Sequence, residues 1–186
     1  MNVVATALPG LFQITPDVFD DARGTFIKSH HRDVFEKHRL DPRFVETYYS
    51  VSHLNVLRGL HFQTPPRDHA KLVYCVAGKI LDAVVDLRAG SPTFGKHAAF
   101  ELNAENRHAV YVPSGFAHGF YSLTEGAVTV CHMTAVHAPE NDGGIRWDSA
   151  GIAWPGGKPI LSARDEKMPP LETLKSPFRY QAASHG

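Results

Sequence analysis

Lys71-Leu-Val-Tyr-Cys-Val-Ala77, then Gly78, then Lys79-Ile-Leu-Asp-Ala-Val-Val-Asp-Leu87 is the stretch that settles the fold class. Two short runs rich in aliphatic and β-branched residues, divided by one glycine, read as paired strands joined by a tight hairpin. The pattern continues outward on both sides, from Phe44 to Thr134. Strands are expected at Phe44–Ser52, Val56–Phe62, Lys71–Ala77, Lys79–Leu87, His97–Leu102, Ala109–Val112, Gly115–Leu123 and Ala127–Thr134. Ala89-Gly-Ser-Pro92 and Pro113-Ser-Gly115 supply turns between them. Strands recurring at roughly 8–12 residues indicate a sandwich or small barrel, here an all-β jelly roll. The flanks differ: Arg32–Leu40 reads as one short helix, and the tail from Ser162 carries one or two helical turns around Pro169-Pro170 and Leu171–Leu174.

Bulk properties narrow the function classes. The 186 residues suit one domain spanning the whole chain, with strands in about the first 30 residues and a helical tail over about 162–186. Basic and acidic residues balance at 19 each, so neither nucleic acid nor a charged membrane surface is an expected partner. No apolar run approaches the roughly 20 residues that a membrane-spanning helix needs. Two cysteines, Cys75 and Cys131, make no disulfide framework and no metal spacing. The start, Met1 to Gly10, lacks the regions of a signal peptide, and the expected location is the cytoplasm.

The polar residues that the strands carry are the functional signal. Arg58-Gly-Leu-His61-Phe62 and Lys71 place a base and a cation in one small barrel. A histidine can take a proton from carbon beside a ketone while an ammonium stabilises the enolate. Strict alternation puts Arg58 and His61 on opposite faces of their strand, and a bulge at Gly59 would turn both inward.

Two spacings resemble the cupin barrels: six residues between Lys71 and Gly78, and the second-motif proline, glycine and histidine in Pro113-Ser-Gly115-Phe-Ala-His118. Lys71 stands where metal-binding cupins carry a glutamate ligand, and an ammonium has no lone pair for a cation. Neither a metal nor another cofactor is expected.

Taken together, the motifs resemble the dTDP-4-dehydrorhamnose 3,5-epimerase family. The matching pieces are Asp21-Ala-Arg23-Gly-Thr-Phe26, Ser50-Val-Ser52, Val56-Leu-Arg58-Gly-Leu-His61-Phe62, Lys71-Leu-Val and Val85-Asp-Leu-Arg88 through Gly95. Further on come Gly115-Phe-Ala-His118-Gly-Phe120, Ala138-Pro-Glu140, Gly144-Ile-Arg-Trp-Asp148, Ile152-Ala-Trp-Pro155 and Leu161-Ser-Ala-Arg-Asp165. The resemblance implies cofactor-free inversion next to the C4 ketone of an NDP-4-keto-6-deoxyhexose, at C3, C5 or both. It makes His61 the base, Asp165 its orienting carboxylate and Lys71 the enolate stabiliser. Arg58 and His118 would line the sugar and diphosphate site. Arg23 and Phe26 would contact the nucleotide from a neighbouring subunit, in a homodimer with exchanged N-terminal strands.

The departures from the family are as informative. Cys131 falls where the family has the tyrosine that protonates the opposite face, so the thiol, His132 beside it, or water would replace that acid, or inversion would narrow to C3. Lys28 replaces an acidic residue, and Glu46 and Tyr48 replace a glutamine and an asparagine. All three would lie near the ligand, unless Lys28 and Glu46 simply pair with each other. A 3,4-ketoisomerase, which needs no opposite-face acid, and a catalytically silent sugar-nucleotide binder are the competing readings.

Overall fold

The computed structural model describes residues 1–181 of the protein. Thirteen strands occur among them: β1 Asn2–Ala5, β2 Phe12–Thr15, β3 Asp17–Asp21, β4 Gly24–Lys28, β5 Glu46–Ser52, β6 Leu57–Gln63 and β7 Lys71–Ala77, followed by β8 Lys79–Asp86, β9 His97–Asn103, β10 Ala109–Val112, β11 Phe116–Ser122, β12 Ala127–Met133 and β13 Asp142–Gly144. One sheet runs β1-β2-β10-β7-β12-β5 and a second runs β13-β6-β11-β8-β9. Every pairing within the two sheets is antiparallel. This is the expected all-β jelly roll, built of two sheets facing one another.

The core follows from alternation. On β8, Ile80 and Val84 turn into the space between the sheets with Leu102, Val110, Val112 and Phe116, while Ala83 and Val85 cover the other face with Leu60, Ile145 and Ile152. The β7–β8 turn needs its glycine. Gly78 has φ +71°, and a Cβ there would lie 2.3 Å from the Thr124 hydroxyl.

The predicted interior strands appear with ends shifted by one or two residues; Val56 falls outside β6 and only bridges to Ile160. The helix α1 covers Arg32–Lys37, shorter than the expected Arg32–Leu40. Arg39 takes φ +59° and Leu40 N–H turns back to the Phe35 carbonyl, which ends the helix. The tail carries two short helical turns, both 3-10, at Asp165–Lys167 and Leu171–Thr173; its last expected residues, 182–186, lie outside the described ones. The first strands divide into two groups. β1 and β2 join the six-stranded sheet through β10, whereas β3 and β4 form a hairpin that pairs with neither sheet.

Candidate active site

His61 and Arg58 both face one cavity because β6 is bulged. Across β6 and β11, His118 pairs with His61 and Phe120 with Arg58, so two steps on β11 answer three on β6. The extra residue reverses the side-chain alternation. It sits at Gly59, φ +142°, ahead of a cis peptide to Leu60. A Cβ on Gly59 would stand 2.6 Å from Gly119 Cα, so the bulge needs glycine on both strands.

The bulge also serves the catalytic candidates. Gly59 N–H points at Asp165 Oδ2 (3.4 Å), and His61 Nε2 meets Asp165 Oδ1 at 2.6 Å. Asp165 sits within the 3-10 turn, its N–H donating to Ser162 Oγ (3.1 Å), and is buried. It does not cap a helix. Burial works to raise its pKa, but the bonds from His61, Gly59 and Ser162 outweigh it and hold the carboxyl below its ordinary range. With Nε2–H donating to this carboxylate, Nδ1 of His61 carries the free lone pair. Burial lowers the His61 pKa and outweighs the opposing pull of Asp165, with Lys71 adding to the lowering. The imidazole is therefore neutral and basic at neutral pH.

Lys71 opens β7 on the facing sheet. Its ammonium is buried and reaches the His61 carbonyl at 3.4 Å; it does not snorkel outward. Burial lowers its pKa, against the pull of Asp142 and Asp82. A second histidine–carboxylate pair lies beside it: His118 Nε2 meets Asp82 Oδ2 at 2.7 Å, both residues buried. Asp82 Oδ1 has no hydrogen-bond partner among the described residues.

His61, Asp165, Lys71 and His118 line a cavity of about 590 Å³ with Arg58, Tyr48, Ser50, Phe120, Ile160 and Arg164, and Asp82 stands behind His118. A neighbouring lobe of about 320 Å³ shares Tyr48, His61 and Lys71 and adds Glu46, Gln63 and Asp142. Arg58 is held from the Ser50-Val-Ser52 strand, its Nε donating to Ser52 Oγ at 3.2 Å. The predicted residues His61, Lys71, Asp165, Arg58, His118, Tyr48 and Glu46 thus converge.

Four others do not. Arg23, Phe26 and Lys28 lie on the β3–β4 hairpin, away from this cavity, with Arg23 paired to Asp21 and Phe26 62% exposed. Glu46 accepts His137 N–H at 2.6 Å and makes no ion pair with Lys28, which removes the compensating-pair reading within the chain. Cys131 is buried behind the lining residues, among Val73 and Met133. Burial pushes its thiol up to about 11. His132 points to the opposite face of β12, bonded to Thr47 and Tyr74. Asp82 and Arg164 were not foreseen. The only sign of Asp82 was a lone carboxylate in the apolar run Ile80–Val85, and Arg164 gave none beyond its place before Asp165.

The family model for dTDP-4-dehydrorhamnose 3,5-epimerase matches residues 5–173. The chain belongs to that family. The Salmonella typhimurium dTDP-4-dehydrorhamnose 3,5-epimerase is 42% identical over 178 residues, covering 92% of this chain and 96% of the relative. A Legionella pneumophila dTDP-6-deoxy-D-glucose-3,5-epimerase, solved in complex with dTDP-4-keto-L-rhamnose, superposes with a TM-score of 0.92 at 36% identity, over 97% of this chain and 99% of that one. A 3'-monoepimerase from Streptomyces bikiniensis, solved with dTDP as a double mutant, superposes with a TM-score of 0.87 at 34% identity, over 91% and 87% of the two chains. Its two altered residues, a histidine changed to asparagine and a tyrosine changed to phenylalanine, are as far apart in sequence as His61 and Cys131 are here. Among the described residues of this family member, no three of His, Cys, Asp or Glu converge on a metal position, and no helix is long and apolar enough to cross a membrane.

Proposed function

We propose that the protein inverts a carbon next to the C4 ketone of a dTDP-4-keto-6-deoxyhexose, without a cofactor. The observation that carries this reading is the 2.6 Å contact of His61 with Asp165 in a cavity shared with the buried ammonium of Lys71. His61 Nδ1 removes the proton. Asp165 fixes the tautomer and balances the imidazolium that forms. Lys71, itself buried, offers its charge where the enolate oxygen develops. Arg58 and the His118–Asp82 pair hold the sugar and diphosphate from the same five-stranded sheet that carries His61.

The nucleotide end of the proposed site draws on a second subunit. Arg23 and Phe26 stand on a hairpin outside both sheets, with Phe19, Phe26 and Ile27 exposed. A homodimer that exchanges these hairpins brings Arg23 and Phe26, with Lys28, to the partner's cavity and covers that apolar surface. A silent binding barrel needs neither the neutral histidine of the pair nor the desolvated lysine. The test is His61→Ala: turnover of dTDP-4-keto-6-deoxyglucose is lost while dTDP binding, read by calorimetry, stays within about threefold. Turnover surviving in His61→Ala contradicts the assignment.

A further inference from the structure

Inversion requires a proton donor facing the base from across the substrate. His61 belongs to the five-stranded sheet, so the donor has to come from the six-stranded one. From that sheet the cavity is lined by Glu46, Tyr48, Ser50, Lys71 and Met133. Lys71 is the oxyanion partner, and the Glu46 carboxylate is occupied by the His137 N–H. Ser50 is an alcohol and Met133 has no proton to give. Tyr48 is the one phenol lining either lobe, and it stands between them.

Its position follows from the register. Tyr48 on β5 is directly opposite Cys131 on β12, and Cys131 is opposite Val73 on β7. Residues opposite one another share a sheet face, on strands about 4.8 Å apart. A tyrosine moved from one strand to its neighbour at the same level can bend its long side chain back over the shorter residue it has replaced. Here Cys131 is buried, and Tyr48, opposite it in the register, is the residue of the pair that lines the cavity.

We propose that Tyr48 delivers the proton that completes inversion, taking over from the adjacent strand the place that Cys131 no longer fills. This rests on the epimerase reading of the site. In the step, the substrate C–H bond breaks and its proton passes to His61 Nδ1, leaving an enolate beside Lys71. The Tyr48 O–H bond then breaks as a new C–H bond forms on the opposite face. The phenolate regains a proton from solvent and His61 releases one to solvent, so the only net change is the configuration at carbon. Tyr48 is 48% exposed overall, but desolvation around its hydroxyl first, and the Cys131 thiol second, hold the phenol above its ordinary pKa, with Arg58 working against them. The phenol therefore keeps its proton across the neutral range.

The test compares wild type, Tyr48→Phe and Cys131→Ala on dTDP-4-keto-6-deoxyglucose in deuterated water, with NMR following exchange and inversion separately. Phenylalanine keeps the ring, and dTDP binding reports that the cavity is intact. Tyr48→Phe is expected to retain exchange of the proton that His61 removes while inverted product falls about 100-fold or more, the usual worth of a general acid. Cys131→Ala is expected to invert within about threefold of wild type. Inversion by Tyr48→Phe within about tenfold of wild type overturns the proposal, and so does an equal loss in Cys131→Ala. A wild-type protein that neither exchanges nor inverts overturns the epimerase reading and this step with it, whereas an inverting Tyr48→Phe overturns this step alone.

Discussion

Asp165→Asn isolates the histidine–carboxylate pair. The change keeps the shape of the side chain and removes its charge. When His61 accepts the substrate proton it becomes an imidazolium against the buried carboxylate, with N···O 2.6 Å and charge centres about 4 Å apart. At an effective dielectric near 20, that attraction is about 4 kcal/mol, equivalent to about 10³ in rate. The amide also turns an N–H toward Nε2, which forces the imidazole proton onto Nδ1 and blocks the base. We expect kcat to fall about 10³-fold with KM changed less than about threefold. The pH profile gives an independent sign. Asp165 raises the His61 pKa against burial, so in the variant the acid limb of kcat/KM moves to lower pH. Stability follows the carboxylate. Its depressed pKa contributes to folding above the unfolded value, about 3.9, and that contribution is lost as pH falls through the lower folded value. The variant is expected to lose about 1–3 kcal/mol by urea unfolding at pH 7 and to approach wild type as pH falls through the lowered carboxylate pKa. Stopped assays by NMR and urea titrations read both. A variant within tenfold of wild-type kcat would refute the electrostatic role given to Asp165.

Lys71→Met is expected to lower kcat about 10²–10³-fold, yet to melt no lower than wild type at pH 7. The buried ammonium has a depressed pKa, so its charge costs folding energy at every pH below that value and methionine removes the cost. Gly59→Ala at φ +142°, with its Cβ 2.6 Å from Gly119 Cα, is expected to destabilise by more than about 2 kcal/mol in urea and to lower activity, since it displaces His61 and Arg58 together. In wild type, the acid limb of kcat/KM is expected below pH 6.5, because burial lowers the His61 pKa; a midpoint at 7 or above would contradict the neutral base. Asp82→Asn is expected to weaken dTDP-sugar binding more than it weakens folding, read by calorimetry against urea unfolding, because one of its oxygens already lacks a partner.

Much of this was legible in the residues. Gly78 between two apolar runs gave β7 and β8 closely, because a hairpin is a local event. Gly59 within Arg58–His61 foretold the bulge, since only an extra residue lets both side chains face one way. The pairing of β2 with β10 had no local sign; it joins residues about a hundred positions apart and depends on the closed sheet. The helix was overdrawn because Val34, Phe35 and Leu40 keep an apolar pattern that the left-handed Arg39 interrupts. At the site, motif position identified His61, Lys71 and Asp165, but not which side chain covers which. Cys131 was placed correctly on its strand and proved buried, packed with Val73 and Met133. Asp82 was invisible because one carboxylate in an apolar strand reads as noise until its histidine is located.

The central claim is carbon-acid chemistry by His61. It is tested most directly by incubating the protein with dTDP-4-keto-6-deoxyglucose in deuterated water and reading the sugar protons by NMR. Wild type is expected to place deuterium next to the ketone, at C3 with or without C5, and His61→Ala to place none while still binding dTDP. Equal incorporation by wild type and His61→Ala, or none by either, would contradict it.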